Sequence, residues 1–558
     1  DDAGRGAFAR TTAEHLLADT AFSGWAPSIA PVISGNLRPL QEAVRDCGLE
    51  RVAVLEDQTG SGKTEAAIIY AQRLVDAGHV DGVYFAVPTR SAATELHGRI
   101  STIARAVWPS VEGRVVRAVP GMLDTDEGRD LHEPTHTWAL GHKRTLAAPI
   151  AVGTIDQAML SILRVRHAWM RAAFLSRSLL IIDEVHASDP YQSEIISALI
   201  ERHTRLKGYA LLLSATLGEG LRSRMLNTKR LPFSEACSVP YPALTAEVTV
   251  AIDPASRRSL EVSLAPQPEA ITKAEQAVRA GSSVLWIRST VGDAIADHET
   301  FAKRGVPVVL HHSRYADCDR RYLDAQVLAR IGLHGDRQPG VIVGTQTVEQ
   351  SLDIDADLLV SDACPADVLI QRAGRLHRHA RPRPQGYDTP QVVLIDPGNL
   401  GAFLDRKGSV FGRPGQGWAW VYQNLLSVGE TLTWLRKHGD LRQPEDCREL
   451  VERATHPDHL RDVASGLGGA WPALWQLLYG KQIAERQIGN DALVDWDRPY
   501  HEALCNDRVV TRLAEGSVSM PVDGELLSPF TGEQITTLAI PARWLRDVPT
   551  DSPLQTMG

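Results

Sequence analysis

The sequence predicts an α/β protein with two tandem lobes, each a doubly wound parallel sheet, followed by a helical connector and a small C-terminal domain. The 558 residues are too many for one core, and about 150 residues per domain implies roughly three or four packed units. Short, branched apolar runs alternate with segments of helical spacing, which is typical of buried parallel strands joined by helices. The alternation occurs in two successive series, so two sheets are expected.

The first lobe is predicted at residues 31–230, after an N-terminal extension of residues 1–30. In KTEAAIIYAQRLVDAG, from Lys63, apolar residues recur at helical spacing and the segment closes on a glycine, which predicts a helix. The predicted strands are RVAVLE from Arg51, VYFAV from Val83, SLLIIDE from Ser178 and YALLLS from Tyr209.

The second lobe is predicted at residues 231–400, with the Pro- and Ser-rich stretch 232–254 as the linker between lobes. Its predicted strands are SVLWIRS from Ser283, VPVVLHH from Val306, GVIVGTQ from Gly340, DLLVSD from Asp357 and QVVLIDP from Gln391. Amphipathic helices, clearest in VYQNLLSVGETLTWLRKHG, predict the connector at residues 401–485. Turn-rich β structure is predicted in the small terminal domain at residues 486–558.

Composition narrows the class of protein. Hydrophobic residues form 43% and charged residues 23% of the chain, as in folded soluble proteins. The net charge of −9 means that any basic groove for nucleic acid must be local. Six cysteines without a CxxC pair disfavour a zinc ribbon or a disulfide framework and favour a reducing cytoplasm. No long apolar run or secretion-signal pattern occurs, so we expect neither a membrane span nor export by that route.

A glycine-rich turn, DQTGSGKTEAA, follows the first predicted strand and opens into a helix. Gly60 and Gly62 let the backbone approach a polyphosphate closely, and the N–H groups of the helix N-terminus point at it. Lys63 can then reach the β- and γ-phosphates, and the Thr64 hydroxyl can bind Mg²⁺. An unrelated glycine turn is the alternative, which the strand–turn–helix context disfavours. Asp57 stands where such motifs usually carry Gly or Ala, so the start of the loop is acidic.

Two adjacent carboxylates, Asp183 and Glu184, follow another predicted strand in SLLIIDEVHASD. In open α/β sheets ligands bind at such carboxyl ends of strands. Asp183 would hold Mg²⁺ through its water shell, and Glu184 would orient and deprotonate the attacking water. Alone the pair is ordinarily a solvated loop start, but with the phosphate loop upstream it predicts ATP hydrolysis.

Five motifs occur in the order and spacing of superfamily 2 helicases: TGSGKT, DEVH, SAT, GTQTVEQSLDID and QRAGRLHRH. The chain therefore resembles the ATP-driven nucleic-acid motors of that superfamily, which implies RecA-like lobes and the cofactors ATP and Mg²⁺. Gln41 of LRPLQ resembles the residue that reads adenine, although capping of the following helix is an alternative. The nucleotide contacts that the resemblance implies are Gln41, Thr59, Gly60, Ser61, Gly62, Lys63, Thr64, Glu65 and Gln371.

The string QRAGRLHR spaces Arg372, Arg375 and Arg378 three residues apart, so we expect them on one helical face. A solvated surface is the alternative for such a row. By motif match, Arg375 and Arg378 resemble arginine fingers, which supply charge to the transferring phosphate. Closure of two lobes would bring these fingers to the phosphate, so the chemistry would be gated by lobe position.

Ser214, Thr216 and His186 would couple the ATP site to lobe movement. A capping serine before the next helix is the alternative for Ser214, and a satisfied structural histidine is the alternative for His186.

Loops expected on the opposite edge of both lobes are predicted to hold a single strand of nucleic acid. They combine small residues, hydroxyls and exposed amides, which hydrogen-bond phosphates without reading bases. Ordinary strand-end turn chemistry is the alternative. The predicted contacts are Pro88, Thr89, Arg90, Gly153, Thr154, Gln157, Ser313, Arg314, Thr345 and Gln346.

Further strings make the resemblance more particular: LRPLQ, APIAVGTIDQAML, DEVHASDPY, LHHSRYADCDR and VEQSLDID. They are similar to the helicase of type I CRISPR-associated helicase-nucleases over roughly residues 20–400. The resemblance implies a monomeric motor that loads on the strand displaced by a guide-RNA surveillance complex and runs 3′ to 5′ on single-stranded DNA.

The other half of that family is an HD nuclease, which needs clustered His and Asp ligands for two metals. The 19 histidines include no His-Asp dipeptide, so we expect no DNA cleavage from these residues. The nuclease would then precede Asp1 or be a separate protein. Two alternatives stay open: a general superfamily 2 DNA or RNA helicase, and a nucleotide-switched clamp that binds a strand without translocating.

Overall fold

The computed structural model describes residues 26–111, 114–119, 145–413, 415–498, 511, 517–541 and 554–555. The chain divides into two compact units. The first unit comprises Asp1–Leu231, Val239–Ser256 and Gln482–Thr511, and the second comprises Pro232–Ser238, Arg257–Lys481 and Arg512–Gly558.

The first unit contains an eight-stranded sheet in the order β3-β4-β2-β5-β6-β1-β7-β8. Its strands are β1 (Val52–Glu56), β2 (Gly82–Val87), β3 (Val115–Ala118), β4 (Ile150–Thr154), β5 (Ser178–Ile182), β6 (Tyr209–Ser214), β7 (Ala243–Thr245) and β8 (Thr249–Ala251). β1 to β6 are parallel, whereas β7 and β8 extend the sheet antiparallel next to β1. The four strands predicted for this lobe are confirmed as β1, β2, β5 and β6.

Apolar packing covers both faces of this sheet. Successive strand residues point to opposite faces, so Leu55 and Phe85 join one buried cluster and Val54 and Tyr84 join the other. The helices of the unit are α1 (Pro39–Asp46), α2 (Lys63–Asp76), α3 (Arg90–Val107), α4 (Ile155–Met159), α5 (Ala168–Leu175), α6 (Pro190–Arg205) and α7 (Glu219–Met225). Short 3₁₀ helices lie at Pro109–Val111, Thr145–Ala147 and Val185–Ala187.

The stretch 232–254 is not the plain linker that its composition predicted. Within it, β7 pairs with β1, with Leu244 opposite Leu55, and β8 then pairs with β7. The buried side chains of Ala243 and Leu244 explain the difference, because they bring this stretch into the first sheet.

The second unit contains a seven-stranded sheet in the order β11-β12-β10-β13-β14-β9-β15. Its strands are β9 (Arg258–Ala265), β10 (Ser283–Ile287), β11 (Val308–His311), β12 (Gly340–Gly344), β13 (Leu358–Asp362), β14 (Gln391–Ile395) and β15 (Asp440–Gln443). All are parallel except β15, which runs antiparallel to β9. The five strands predicted for the second lobe are confirmed as β10 to β14, and the two sheets confirm the α/β fold class.

The helices of the second unit are α8 (Phe233–Cys237), α9 (Gln267–Arg279), α10 (Val291–Lys303), α11 (Asp317–Ile331), α12 (Gln346–Ser351), α13 (Ala366–Ala373), α14 (Trp418–Val421), α15 (Leu425–His438), α16 (Cys447–Thr455) and α17 (Pro457–Leu467). A 3₁₀ helix lies at Leu400–Phe403, and α18 (Trp471–Asp491) continues from the second unit into the first. In the ranges that the structure describes, none of the helices combines the length and the apolar character needed to cross a membrane.

In residues 517–541 and 554–555, which the structure describes, the chain forms turn-rich β structure, as predicted. A three-stranded sheet has the order β17-β16-β18, from β16 (Ser517–Asp523), β17 (Thr537–Pro541) and β18 (Leu554–Gln555). The tight turn before β17 includes Gly532, whose φ of 72° is a left-handed conformation that glycine adopts without a steric penalty.

Candidate active site

The glycine-rich turn between β1 and α2 has the strand–turn–helix geometry of a phosphate-binding loop. Gly60 and Gly62 have φ of 82° and 96°, and Gly62 is the N-cap of α2. The positive φ of Gly62 strongly favours glycine, and a Cβ there would also lie 2.5 Å from Nε2 of Gln41. Arg38, whose role the sequence did not indicate, donates from Nη1 to the Gly60 carbonyl at 2.6 Å.

Gln41 both caps a helix and lies beside this loop. Its Oε1 accepts from the backbone N–H of Arg38 at 2.9 Å, in a capping box at the start of α1. The helix that it caps is the one that contains it, not a following helix. Its Nε2 end is nevertheless next to the Gly62 backbone, so the predicted nucleotide contact and the capping role are compatible.

The ammonium group of Lys63 points into its own loop. Nζ donates to the backbone carbonyls of Asp57 and Gln58, at 2.6 and 2.9 Å, and the residue is 8% exposed. The Asp57 carboxylate is buried and accepts from Gln58 N at 2.7 Å, and burial raises its pKa despite the nearby Lys63 charge. The Glu65 carboxylate pairs with Arg99 at 2.6 Å.

The two carboxylates predicted for Mg²⁺ and water lie at the carboxyl end of β5. The backbone N–H of Asp183 donates to Ala86 O at 2.8 Å, which fixes this strand end next to β2. Burial raises the pKa of Asp183 and the Glu184 charge raises it further, while the Lys63 ammonium opposes the shift. Two adjacent carboxyl groups that repel each other suit a divalent cation, which would relieve the repulsion between them. With the Thr64 hydroxyl, Asp183 could hold Mg²⁺.

A continuous set of contacts leads from Glu184 to the SAT motif. Glu184 has φ of 52°, and its Oε2 lies 3.4 Å from Nε2 of His186. The other ring nitrogen of His186 lies 2.9 Å from the Ser214 hydroxyl, which donates to Thr216 O at 2.9 Å. The capping alternative for Ser214 is wrong, because the next helix begins at Glu219 with Gly218 as its N-cap.

Glu56, a residue that sequence reasoning missed, holds the loop after SAT. This glutamate is fully buried at the end of β1 and accepts from the backbone N–H of Leu217 at 2.9 Å. Arg222 lies 3.6 Å from its other carboxylate oxygen. The available signal was a carboxylate at the last position of an otherwise apolar strand, where a buried charge requires partners.

The predicted nucleic-acid loops do not lie on the opposite sheet edge, so that expectation is wrong. The phosphate loop, DEVH and SAT follow the carboxyl ends of β1, β5 and β6, and the AVPTR and VGTIDQ loops follow those of β2 and β4. Because these strands are parallel, all five segments begin at one edge of the sheet. HHSR and GTQ likewise follow the carboxyl ends of the parallel strands β11 and β12.

In the first unit the predicted strand contacts differ in accessibility. Gly153 is packed so closely that a Cβ would lie 2.4 Å from Ala118 O, and Thr154 is 5% exposed. Gln157 was expected to offer an exposed amide but is 9% exposed, and its Oε1 accepts from Arg171 at 3.1 Å. Accessible positions are Pro88 and Thr89, which are partly buried, and Arg90, which is exposed. The Thr89 hydroxyl accepts from Ala92 N at 3.2 Å and so caps α3.

In the second unit Ser313 and Arg314 are exposed directly after β11. Thr345 is 3% exposed, and Gln346 is partly buried with Nε2 3.5 Å from Ser289 O. Of the residues predicted in these two loops, Ser313 therefore provides the accessible hydroxyl and Arg314 the accessible cation.

The three arginines of QRAGRLHR do not share a helical face, and that prediction is wrong. Helix α13 ends at Ala373, and the following chain pairs with the DIDAD segment through a bridge between Leu376 and Ala356. Arg372 is fully buried, whereas Arg375 and Arg378 are partly buried beyond the helix, and Gln371 is partly buried on it.

Each arginine has partners within the second unit. Arg372 donates to the Glu349 carboxylate at 2.6 Å. Arg375 donates to the backbone carbonyls of Glu349 and Leu352, the latter at 3.0 Å. Arg378 pairs with Asp353 at 2.7 Å, an acidic partner that motif matching had not singled out.

Comparison with known proteins agrees with the fold and the motifs. The family model of DEAD/DEAH box helicases matches residues 38–223. The model of the C-terminal part of the CRISPR-associated nuclease/helicase Cas3 matches residues 280–381. The two sheets and the phosphate loop agree with these matches, so the chain is similar to DEAD/DEAH box helicases over most of its first unit and to Cas3 over part of its second. The chain as a whole resembles the helicase portion of Cas3, as its relatives show.

The chain is 31% identical over 558 residues to the endonuclease/helicase Cas3 of Escherichia coli K12, which covers 89% of this chain and 60% of that protein. The chain is 29% identical over 491 residues to Cas3 of Thermus thermophilus. That alignment covers 74% of this chain and 51% of the Thermus protein. The chain thus spans between half and two thirds of these curated relatives.

Solved structures give the same picture. The crystal structure of T. fusca Cas3 with AMPPNP matches with a TM-score of 0.76 and 25% identity, over 91% of this chain and 62% of that one. A chain of a CRISPR RNA-guided surveillance complex in a pre-nicking state matches with a TM-score of 0.65 and 26% identity. The match covers 87% of this chain and 58% of that one.

Proposed function

We propose that this chain is an ATP-dependent translocase and helicase on single-stranded DNA that acts in CRISPR interference. The observation that carries the proposal is the set of contacts from Glu184 through His186 to Ser214. These contacts connect Glu184, the carboxylate proposed to activate water, with the loop at the end of β6. A motor that couples hydrolysis to movement requires such a connection. The similarity to Cas3 supports DNA and a CRISPR context.

The residues of the first unit divide the hydrolytic chemistry between them. The backbone N–H groups at the start of α2 and the Lys63 ammonium bind the triphosphate, with Gln41 against the adenine. To do so, Lys63 exchanges its present carbonyl acceptors for phosphate oxygens, which are stronger acceptors because they are charged. Bound Mg²⁺, held by Thr64 and Asp183, would neutralise charge on the β- and γ-phosphates. Glu184 accepts the proton of the attacking water.

Arg375 and Arg378 are proposed as the transition-state cations, with Gln371 as a further nucleotide contact. A guanidinium offers planar, permanently charged donors, which suit the equatorial oxygens of a transferring phosphoryl group. Both side chains must exchange their present partners within the second unit for the nucleotide. ATP binding thereby changes the contacts of the second unit, and hydrolysis reverses the change.

The proposed substrate is the DNA strand displaced by a guide-RNA surveillance complex, with movement from 3′ to 5′ by a monomer. One matched structure is itself a surveillance complex, which supports this partner. Cleavage of the exposed strand would come from an HD nuclease, present either as another part of a longer chain or as a separate subunit.

The test measures ATP hydrolysis with single-stranded DNA, single-stranded RNA and no nucleic acid. Stimulation by DNA alone is expected, and equal stimulation by RNA would favour a general helicase. Duplexes with a 3′ or a 5′ overhang then test direction, and binding to an assembled surveillance complex tests the partner. Lys63→Ala and Glu184→Gln are expected to abolish both hydrolysis and displacement, so displacement by Lys63→Ala at wild-type speed would refute the phosphate site.

A further inference from the structure

Four aromatic rings of the second unit form a row beside Ser313 and Arg314. His312 stacks on Tyr315, with ring centroids 4.2 Å apart and an interplanar angle of 7°. Phe530 meets Tyr315 edge to face at 5.8 Å and stacks on Tyr322 at 5.5 Å and 20°. We call Tyr315, Tyr322 and Phe530 the aromatic row, with His312 as the ring that supports its end.

Two distant segments of the chain place these rings. His312 and Tyr315 lie in the turn between β11 and α11, and Tyr322 lies on the second turn of α11. Phe530 comes from the tight turn between β16 and β17, more than two hundred residues further along the chain. No local sequence pattern could have predicted this row, because Phe530 reaches the two tyrosines only through tertiary contacts.

The turn that carries Phe530 is held rigidly against α11. The Ser528 hydroxyl accepts from the backbone N–H groups of Phe530 and Thr531, at 3.2 and 2.9 Å, and donates to the buried Asp319 carboxylate. The phenyl ring is therefore pre-organised, and little side-chain entropy would be lost on binding a ligand.

Two rings of the aromatic row are exposed, and Tyr315 is partly buried. Tyr322 is 38% and Phe530 is 40% exposed, and Leu527 of the same turn is 57% exposed. His312, by contrast, is 5% exposed, and burial lowers its pKa to about 4, so it supports Tyr315 as a neutral ring. An exposed aromatic surface beside an exposed hydroxyl and an exposed guanidinium has the composition of a single-strand binding site.

We infer that the aromatic row is a stacking platform for unpaired bases of the single strand whose phosphates Ser313 and Arg314 contact. This inference rests on the proposed function and adds a second kind of contact to it. The rings are too close to one another to admit a base between them, so a base extends the row at an outer face. Because every base has a π-face, the platform holds any sequence, as a translocating motor requires.

The test compares two ligands of equal charge on the full chain, an oligodeoxythymidine and an abasic oligonucleotide of the same length. Fluorescence anisotropy gives the affinity of each for wild type, Phe530→Leu and Tyr322→Leu. Stacking contributes enough per base that each leucine variant is expected to bind oligodeoxythymidine roughly 5- to 150-fold more weakly. Affinity for the abasic strand is expected to be unchanged, and Phe530→Tyr is expected to retain wild-type affinity for both.

Tyr479→Leu is the matched control, because it removes a ring of similar exposure, 48%, on α18, and it is expected to change neither affinity. Equal weakening on both ligands in Phe530→Leu and Tyr322→Leu would mean that the row only packs the turn against α11, and would overturn the inference. Unchanged affinity for oligodeoxythymidine in both variants would also overturn it, while leaving the proposed function in place. A wild-type chain that binds neither ligand would contradict the proposed function itself.

Discussion

Substitution of Arg372 tests whether this arginine stabilises the second unit, in contrast to Arg375 and Arg378, which are proposed to contact the nucleotide. Arg372 is fully buried and donates to the Glu349 carboxylate at 2.6 Å, the Ser361 hydroxyl at 2.7 Å and the Tyr422 hydroxyl at 2.9 Å. The side chain of Glu349 is itself 3% exposed. Arg372→Ala would therefore leave a buried carboxylate without its cation.

The expected loss of stability in Arg372→Ala follows from that uncompensated charge. Removing one partner of a buried ion pair typically costs about 3–5 kcal/mol. Ser361 adds little to the cost, because its hydroxyl also donates to Asp362 O at 2.7 Å. Glu349→Gln in the Arg372→Ala background removes the stranded charge and is expected to restore about half of the loss.

Hydrogen exchange of the β13 amides, read by mass spectrometry, measures the effect, because Ser361 lies on that strand. A loss of about 3–5 kcal/mol raises exchange through opening by roughly two to four orders of magnitude. Arg375→Ala is the control, since that guanidinium donates to the backbone carbonyls of Glu349 and Leu352 and is partly exposed. It is expected to abolish ATP hydrolysis while β13 exchange stays within about tenfold of wild type. Unchanged β13 exchange in Arg372→Ala, together with lost hydrolysis, would refute the distinction.

Three further predictions test the first unit. Ser214→Ala removes the hydroxyl between His186 and Thr216. DNA-stimulated strand displacement should therefore fall about tenfold while basal ATP hydrolysis changes little. A parallel fall of both rates would contradict the coupling role. Gln157→Leu removes an acceptor of Arg171 and should lower the free energy of unfolding by about 1–3 kcal/mol. A loss of DNA affinity at unchanged stability would instead support Gln157 as a contact to the nucleic-acid strand. Asp57→Asn keeps an acceptor for Gln58 N but removes a charge that burial disfavours. Because burial raises the folded-state pKa of Asp57, its charged form destabilises the fold above that pKa and the penalty disappears as protons bind. The variant should therefore melt at a higher temperature than wild type at pH 8, by a margin that narrows toward pH 4; a constant margin would show that the charge is not responsible.

The sequence predicted those features whose causes lie within one short segment. Alternation of buried runs with helical segments predicted four strands of the eight-stranded sheet and five of the seven-stranded sheet, because a strand covered on both faces must be apolar throughout. The two glycines of the phosphate loop could be identified because a positive φ next to a helix N-terminus strongly favours glycine. Asp183 and Glu184 were identified as candidates because ligands bind at the carboxyl ends of parallel strands, whereas the nucleic-acid loops were wrongly expected at the other edge.

Predictions failed where a distant residue determines the outcome. The helical row of arginines assumed that α13 continues, but Gly374 ends it and the next residues pair with Ala356 through backbone hydrogen bonds. Gln157 reads as an exposed amide in its loop, and only the approach of Arg171 shows why it is buried. β7 was missed because three residues carry too weak a pattern, although pairing with β1 buries them.

The partners of the two proposed fingers suggest that they respond differently to nucleotide. Arg378 pairs with Asp353, whose side chain is 39% exposed, and a solvated pair of this kind contributes only about 0–1 kcal/mol. Arg375 gives up two backbone carbonyls, those of Glu349 and Leu352, and these carbonyls then need other donors or water. Arg378 can therefore leave its partner at low cost, whereas release of Arg375 frees backbone carbonyls in the last turn of α12 and at the residue that follows it. If both reach the phosphate, Arg378 responds first and Arg375 transmits the change into the GTQTVEQSLDID segment, which begins at the strand end beside Thr345. In this scheme the charge needed for hydrolysis and the movement of the segment after β12 depend on the same side chain.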